Sequence, residues 1–255
     1  MIKRISKSAA AKHIAPTGVL RAGINLSNFL LVNRCEEDGT PIGLSPDIAS
    51  EVARRLSVPV KFYTFKGPGE LTDTIKDLDI ANLANEKKRA KTIRFAPAYC
   101  GIEASFLIRG KKSVRSRPLE RIVSKNRSAY TLALEEIIAS GKDERYRDAK
   151  LVTAESVNEG FEIFMNGDAD AFACLKPKLY ELSQKHSSED DPLYVQDGSF
   201  TEIRQCVGFN PDLDPSAAAY LDEICVDMLR DGFIENSMRK HNVHQFLCLP
   251  STSSA

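Results

Sequence analysis

Arg89 is the residue whose type and setting point most directly to chemistry. It stands in the stretch Asn82-Leu-Ala-Asn-Glu-Lys-Lys-Arg89-Ala-Lys-Thr-Ile-Arg-Phe95-Ala-Pro97-Ala-Tyr99, after an apolar run, Leu78 to Leu83, that reads as a short buried strand. An arginine just past the C-terminal end of a parallel strand is well placed to fork onto a carboxylate, because ligands of open α/β sheets sit there. Lys87 and Lys88 are poor substitutes, since an ammonium is a point charge without the planar fork. The other reading of Arg89 is a surface arginine that happens to follow a strand.

A second anion-favouring feature is Ser124-Lys-Asn-Arg127-Ser128-Ala-Tyr130, at a strand-to-helix junction. Backbone N–H groups at a helix start favour anions, and Ser128 can both cap and donate. Arg127 either adds a second anionic contact or is simply solvated. Phe65 closes a strand, and it either stacks on a planar ligand or belongs to the core. No nucleophile–base set is apparent, and GxSxG, HExxH, P-loop and GxGxxG patterns are absent. Of the four histidines, His241 and His244 are three residues apart, but no third metal ligand accompanies them and helix-end capping accounts for them. No metal and no cofactor is expected.

The elements that must position these residues alternate. Val19–Ile24 is a strand, Ser45-Pro46-Asp47 opens a helix with Ser45 as N-cap, and Val60–Phe65 is a second strand. Glu36 to Pro41 reads as a hairpin tip, and Glu70 to Lys76 as one or two helical turns. With the strand Leu78–Leu83 this gives β-α-β-α-β, hence a parallel sheet flanked by helices. Ile102–Ile108 leads away through a basic stretch, 110–118. The alternation then repeats: strands near 121–123, 150–152 and 169–174, and helices over 128–138, 156–165 and 177–185. Gln205–Phe209 leads back, Asp214-Pro215 opens a long helix ended by Gly232, and Ile234 to Lys240 closes the chain. The expected division is a flexible N-terminus over 1–15, a first lobe over 16–101 with 208–250, a second lobe with hinge segments over 102–207, and a disordered tail over 251–255. A cleft is expected where the strand C-termini of both lobes converge.

Bulk composition excludes several classes. The 255 residues are 42% apolar and 27% charged, with 35 basic and 35 acidic residues. Zero net charge argues against a nucleic-acid binder, which needs a positive field. No run of about 18 apolar residues occurs, so no membrane insertion is expected. The N-terminus has basic residues but no apolar segment of about 7–15 residues, so it is not a complete signal peptide. That places the sequence as written in the cytoplasm unless a leader was removed or replaced. The six cysteines show no CxxC or metal spacing and mostly sit in apolar runs, which reads as buried free thiols.

Taken in order, several strings resemble the type 2 periplasmic solute-binding proteins of the amino-acid-binding group. These are Pro16-Thr-Gly18-Val-Leu-Arg-Ala-Gly23, the segment Asp38-Gly39 to Asp47, the Arg89 stretch ending Phe95-Ala-Pro-Ala-Tyr99, and Leu229-Arg-Asp-Gly232-Phe-Ile, together spanning roughly 16 to 250. The resemblance implies an α/β, two-lobed periplasmic-binding-protein-like type II fold with two hinge segments. It implies a monomer that binds a small-molecule carboxylate, works with an ABC permease and resides in the periplasm. It places Arg89 on the ligand carboxylate and gives Asn82 an amide hydrogen bond to the ligand. It puts Asn25 and Asn28 in a loop lining the cleft, where both also read as turn formers, and it makes the Ser128 loop the one that closes on the carboxylate.

Where members often carry an aspartate for the α-ammonium, this chain has Leu175 and Lys176. Glu103 is the remaining acid that can serve, or else a partly exposed strand residue. Three functions stay open: a solute-binding component of an importer, a cyclohexadienyl-dehydratase-like lyase with Glu103 as general acid, and a cytosolic ligand sensor derived from the same scaffold.

Overall fold

The computed structural model describes residues 5–110 and 119–250. The expected disordered tail, 251–255, lies outside them, as does nearly all of the basic stretch. The chain divides into two compact units: one runs to Gly101 and resumes at Arg204, and the other is Ile102–Ile203.

The first unit opens with α1 (Lys7–Ile14), where the Ser6 side chain accepts the Ala9 N–H. Within the segment expected to be flexible, 1–15, residues 7–14 are therefore helical. Ala10 and Ile14 are buried, and a face made of alanines is too weakly apolar to stand out in the sequence. Next come β1 (Leu20–Asn25), a hairpin of β2 (Arg34–Cys35) and β3 (Pro41–Ile42), α2 (Leu44–Leu56) and β4 (Val60–Phe65). α3 (Pro68–Asp73), a 3-10 turn at Ile75–Asp77, β5 (Ile80–Ala84), a 3-10 turn at Arg89–Lys91 and β6 (Arg94–Phe95) follow. β1 lies between β4 and β5 and runs parallel to both, with Leu20 opposite Val60 and Ala22 opposite Ile80. Alternation along β5 sends Ala81 and Leu83 into a cluster with Leu71, Ile75, Leu78 and Ile93. The same layer presses on β1: a Cβ on Gly23 would lie 2.4 Å from Leu71 Cδ1 and 2.7 Å from Leu78 Cδ1, so a larger residue there has to push those leucine methyls aside.

The second unit begins within β7 (Cys100–Arg109) and continues through β8 (Arg121–Lys125), α4 (Ala129–Ser140), β9 (Lys150–Ala154) and α5 (Val157–Met165). β10 (Ala171–Leu175), α6 (Lys176–His186) and β11 (Leu193–Val195) complete it before β12 (Thr201–Phe209) leaves. β8 runs parallel to β9 and β10, whereas β7 is antiparallel to β10 and β11. One face buries Phe106, Ile122, Leu134 and Tyr146, while Phe161 and Phe164 of α5 form a second aromatic group with Phe172.

β12 then pairs antiparallel with β5, from Gln205 opposite Ala84 to Gly208 opposite Ala81. That ladder draws residues from Arg204 onward into the first unit, so the division falls after Ile203 and not after 207. α7 (Pro215–Arg230) and α8 (Phe233–Lys240) finish the unit; α7 packs on α1 and α2, and α8 on α2.

Two local features decide how α2 is anchored. Ser45 is not its N-cap: the helix starts at Leu44 behind Gly43, and the Ser45 N–H donates to the Leu31 carbonyl. The chain packs so tightly there that a Cβ on Gly43 would sit 2.3 Å from the Leu31 oxygen, at φ +154°. Further on, Asp47 accepts from Ser237 Oγ at 2.8 Å and Lys240 Nζ at 3.0 Å, with His241 Nε2 at 2.9 Å, which clasps α8 to α2. His241 is therefore committed to a carboxylate, and among the described residues no group of three or more His, Cys, Asp or Glu can hold a metal.

Gly43→Ala is expected to lower stability by roughly 1–3 kcal/mol in denaturant unfolding. Gly67→Ala, where nothing lies within 4 Å of the added Cβ, should cost less, about 0.5–1 kcal/mol through the poorer cap of α3. For Asp47, burial opposes ionisation, but hydrogen bonds from Lys240, Ser237 and His241 outweigh it and hold the carboxyl below its ordinary 3.8. A depressed carboxylate contributes stability that is present above the unfolded value and lost as pH falls through the folded one. Asp47→Asn should thus destabilise by about 1–3 kcal/mol at neutral pH, and its gap from the parent should close as the pH is taken below 3.8.

Candidate functional site

Because β1, β4 and β5 run parallel, their C-terminal ends share one edge of the first unit's sheet, where Asn25 and Phe65 are the last residues of β1 and β4 and the segments beyond β1 and β5 carry Asn28 and Arg89. Arg89 follows β5 in a 3-10 turn and is 6% exposed. Its Nη1 donates to the Ala84 carbonyl at 3.3 Å, and its Nε stands 3.7 Å from Glu86 Oε1. Glu86 also accepts the Arg89 N–H at 2.6 Å and the Lys88 N–H at 2.9 Å, so one carboxylate shapes the turn and faces the guanidinium. The result is a charged fork fixed at a strand end.

The other candidates of this unit divide. Asn25 Oδ1 accepts the Ser27 N–H at 3.0 Å and Ser27 Oγ–H at 2.9 Å, and Asn28 Oδ1 accepts the Leu30 N–H at 3.3 Å. Both side chains form turns with their own loop. Phe65 is half-buried and packs against the Leu71–Ile93 cluster, so its ring is part of that core. Asn82 sits in mid-strand, 4% exposed, and its Nδ2 donates to the Ser45 carbonyl at 2.6 Å while its Oδ1 has no partner. That amide ties β5 to the first turn of α2, where a ligand-facing donor was expected.

In the second unit the parallel strands β8, β9 and β10 likewise end at one edge, and antiparallel β7 starts there. Ser128 is the N-cap of α4, 5% exposed, with its Oγ accepting the Thr131 N–H at 3.2 Å and 2.7 Å from Thr131 Oγ1. Thr131 Oγ1 is in turn 2.6 Å from Ser124 Oγ and donates to the Lys125 carbonyl at 2.6 Å. This hydroxyl chain braces the strand-to-helix turn. Arg127, exposed, adopts a left-handed φ of +54° in the turn just before the helix start. Glu103 is not a lone acid: Lys176 Nζ donates to its Oε2 at 2.8 Å. That hydrogen bond, opposed by burial, holds the Glu103 carboxyl below its ordinary range.

Glu86, Thr131 and Lys176 are the site-edge residues that sequence reasoning missed. Glu86 lies beside two lysines with no pattern to single it out, Lys176 stands out in the sequence only as a departure from an aspartate, and the Ser-x-x-Thr spacing of 128 and 131 is the available signal of the hydroxyl chain. Among the cysteines, Cys100, Cys174, Cys206 and Cys225 are buried free thiols. Burial pushes Cys174 up to about 11 and Cys206 up to about 12, so both stay protonated and act as packing.

Residues 20–243 match the family of bacterial extracellular solute-binding proteins, family 3, and the chain belongs to it. No curated protein matches the sequence. Among solved structures it is similar to a mutant of ArgBP from T. maritima, at 18% identity and TM-score 0.66 over 91% of this chain and 99% of that one. It is similar to a putative ABC-transporter binding component from Wolinella succinogenes complexed with lysine, at 20% and 0.67 over 92% and 97%. A third is the ancestral amino-acid-binding protein AncCDT-1, described as a precursor of cyclohexadienyl dehydratase, at 20% and 0.66 over 91% and 99%. The two-lobed periplasmic-binding-protein-like type II fold and the solute-binding family, both read from the sequence, are borne out. Among the described residues no helix is long and apolar enough to cross a membrane.

Ser128→Ala should cost about 1 kcal/mol through the lost cap, read by urea unfolding followed by far-UV circular dichroism, with Ser128→Asp restoring most of it.

Proposed function

We propose that this chain captures a small carboxylate-bearing solute, an amino acid or related organic acid, as the substrate-binding component of an ABC-type importer working outside the cytoplasmic membrane. The observation that carries the proposal is the buried guanidinium of Arg89 at the carboxyl end of β5, fixed by the Ala84 carbonyl and Glu86. A planar fork held in place loses little freedom on meeting a carboxylate, which favours binding. Support from the second unit is the start of α4, where Ser128 caps the helix and its dipole favours an anion. Asn25, Asn28, Phe65 and Asn82 serve this reading by shaping the loops and strand ends around Arg89. Arg127 supplies positive charge next to the helix start. The solute-binding family to which the chain belongs supports the transport role, and the permease is the partner that role requires.

A lyase on the same scaffold is the second reading, favoured by the likeness to the dehydratase precursor. Its proton donor would be Glu103, and the Lys176 ion pair disfavours it, because a carboxyl held below its ordinary range has no proton to give near neutrality.

Arg89→Lys keeps a cation beside Glu86 and so preserves folding, but it loses the fork. We expect carboxylate affinity, measured by ligand-induced thermal shift across a panel of amino and organic acids, to fall roughly tenfold to a hundredfold. Lys88→Ala should leave it within about twofold. Equal retention by both variants removes Arg89 from the site.

A further inference from the structure

Glu86 is pinned into the turn that follows β5. Its carbonyl accepts the Ala90 N–H at 2.9 Å. Its Oε1 accepts the Arg89 N–H at 2.6 Å and its Oε2 the Lys88 N–H at 2.9 Å. Held by both oxygens, the carboxylate cannot rotate away unless the turn opens. The turn is anchored in its own right, since the Asn85 N–H donates to the Arg204 carbonyl on β12 at 2.9 Å. Against the guanidinium the contact is of another kind. Glu86 Oε1 stands 3.7 Å from Arg89 Nε, close enough for charge and too far for a hydrogen bond. The acid's side chain is 9% exposed and the arginine's 6%, so water screens neither well. Lys87, Lys88 and Lys91 of the same turn, and Arg204 on the facing strand, are exposed and far more strongly screened. The covered charge at this strand end is therefore already matched before any solute arrives.

We infer that Glu86 is a specificity-determining residue of the Arg89 site and sets the net charge of the solute accepted there, an inference that rests on the carboxylate reading above and concerns the first unit alone. A solute whose only charge is its carboxylate adds an uncompensated anion to a matched, poorly screened pair. Glu86 opposes it, because the turn keeps the acid in place. A solute with a cation next to its carboxylate adds no net charge and meets no such opposition. Arg89 thus supplies the attraction for a carboxylate, and Glu86 limits how much of it a purely anionic solute can use.

The test uses calorimetric titration and thermal shift of the full chain with three matched pairs: L-alanine and L-lactate, L-leucine and its 2-hydroxy analogue, L-aspartate and L-malate. Each hydroxy acid has a hydroxyl where its partner has the ammonium. Within any pair that binds, the parent should favour the amino acid by about tenfold. Glu86→Gln removes the charge and keeps one acceptor oxygen for the turn. It should tighten the hydroxy acid several-fold and leave the amino acid unchanged or weaker, so the margin narrows. An acid that only shapes the turn gives the opposite result, because loosening the turn weakens both members of a pair alike. Glu86→Asp keeps the charge and should hold the margin within about twofold of the parent's; it decides the matter if circular dichroism shows Glu86→Gln unfolded. Equal or tighter binding of the hydroxy acid by the parent, parallel weakening of both members in Glu86→Gln, or loss of the margin in Glu86→Asp overturns this inference and leaves the carboxylate reading standing. Failure of the parent to bind any of the six overturns the carboxylate reading and this inference together.

Discussion

A guanidinium withdrawn from water to 6% exposure is the constraint around which the first unit is arranged. Arginine does not escape burial by losing its proton, so its charge has to be met where it stands. The Ala84 carbonyl belongs to the last residue of β5 and is available because the strand stops there. Glu86 reaches back from two residues further on and binds the backbone of the same turn that carries Arg89. Strand end, acid and turn are mutually dependent: a shift of β5 by one residue removes the carbonyl, and a longer loop removes the acid. β5 itself cannot shift, since all five of its residues are buried and it is paired on one side with β1 and on the other with β12.

The second unit solves the same topological problem with different chemistry. Its parallel strands also end at one edge, but the group braced there is a helix start. Ser124, Thr131 and Ser128 form a continuous run of hydroxyls, and Thr131 satisfies the Lys125 carbonyl. These groups are almost wholly buried and none carries charge, so the brace costs little desolvation and leaves the helix dipole as the main local field. Charge enters this edge through side chains around it, among them Lys125, Arg127, Glu155 and the Glu103–Lys176 pair.

The order of large elements was legible in the sequence because buried parallel strands are apolar runs and the helices between them are punctuated by Ser, Pro and Gly. Short strands were not. β2, β6 and β11 have two or three residues each, too few for any period to appear. α1 escaped because its inner face is mostly alanine, with Ile14 the one larger apolar residue of the helix. The α2 start was misread because the Leu31 backbone, not the Ser45 side chain, meets its first turn, and that contact spans the hairpin. For the site, Arg89 stood out by its isolation after an apolar run. Its partner Glu86 sits in a Lys-rich turn, where an acid reads as solvent-facing. The Glu103–Lys176 pair joins residues 73 apart, and only the β7–β10 register brings them together.

The placement of carboxyl groups bears on whether such a scaffold moves protons. A general acid must keep its proton near neutral pH and lie where substrate binds. Asp222 on α7 has a carboxyl raised above its ordinary value, with burial outweighing the nearby Arg94. Its surroundings place it at the other end of the strands. Arg94 hydrogen-bonds to it and pairs through β6 with Phe209, on the side of β12 that faces away from Gln205 and the Ala84 end of β5. The acid at the carboxyl edge, Glu103, is held ionised by Lys176. Burial raises the Asp222 carboxyl in the first unit, while the Lys176 hydrogen bond lowers the Glu103 carboxyl in the second, so the same residue chemistry is pushed in opposite directions by its two settings.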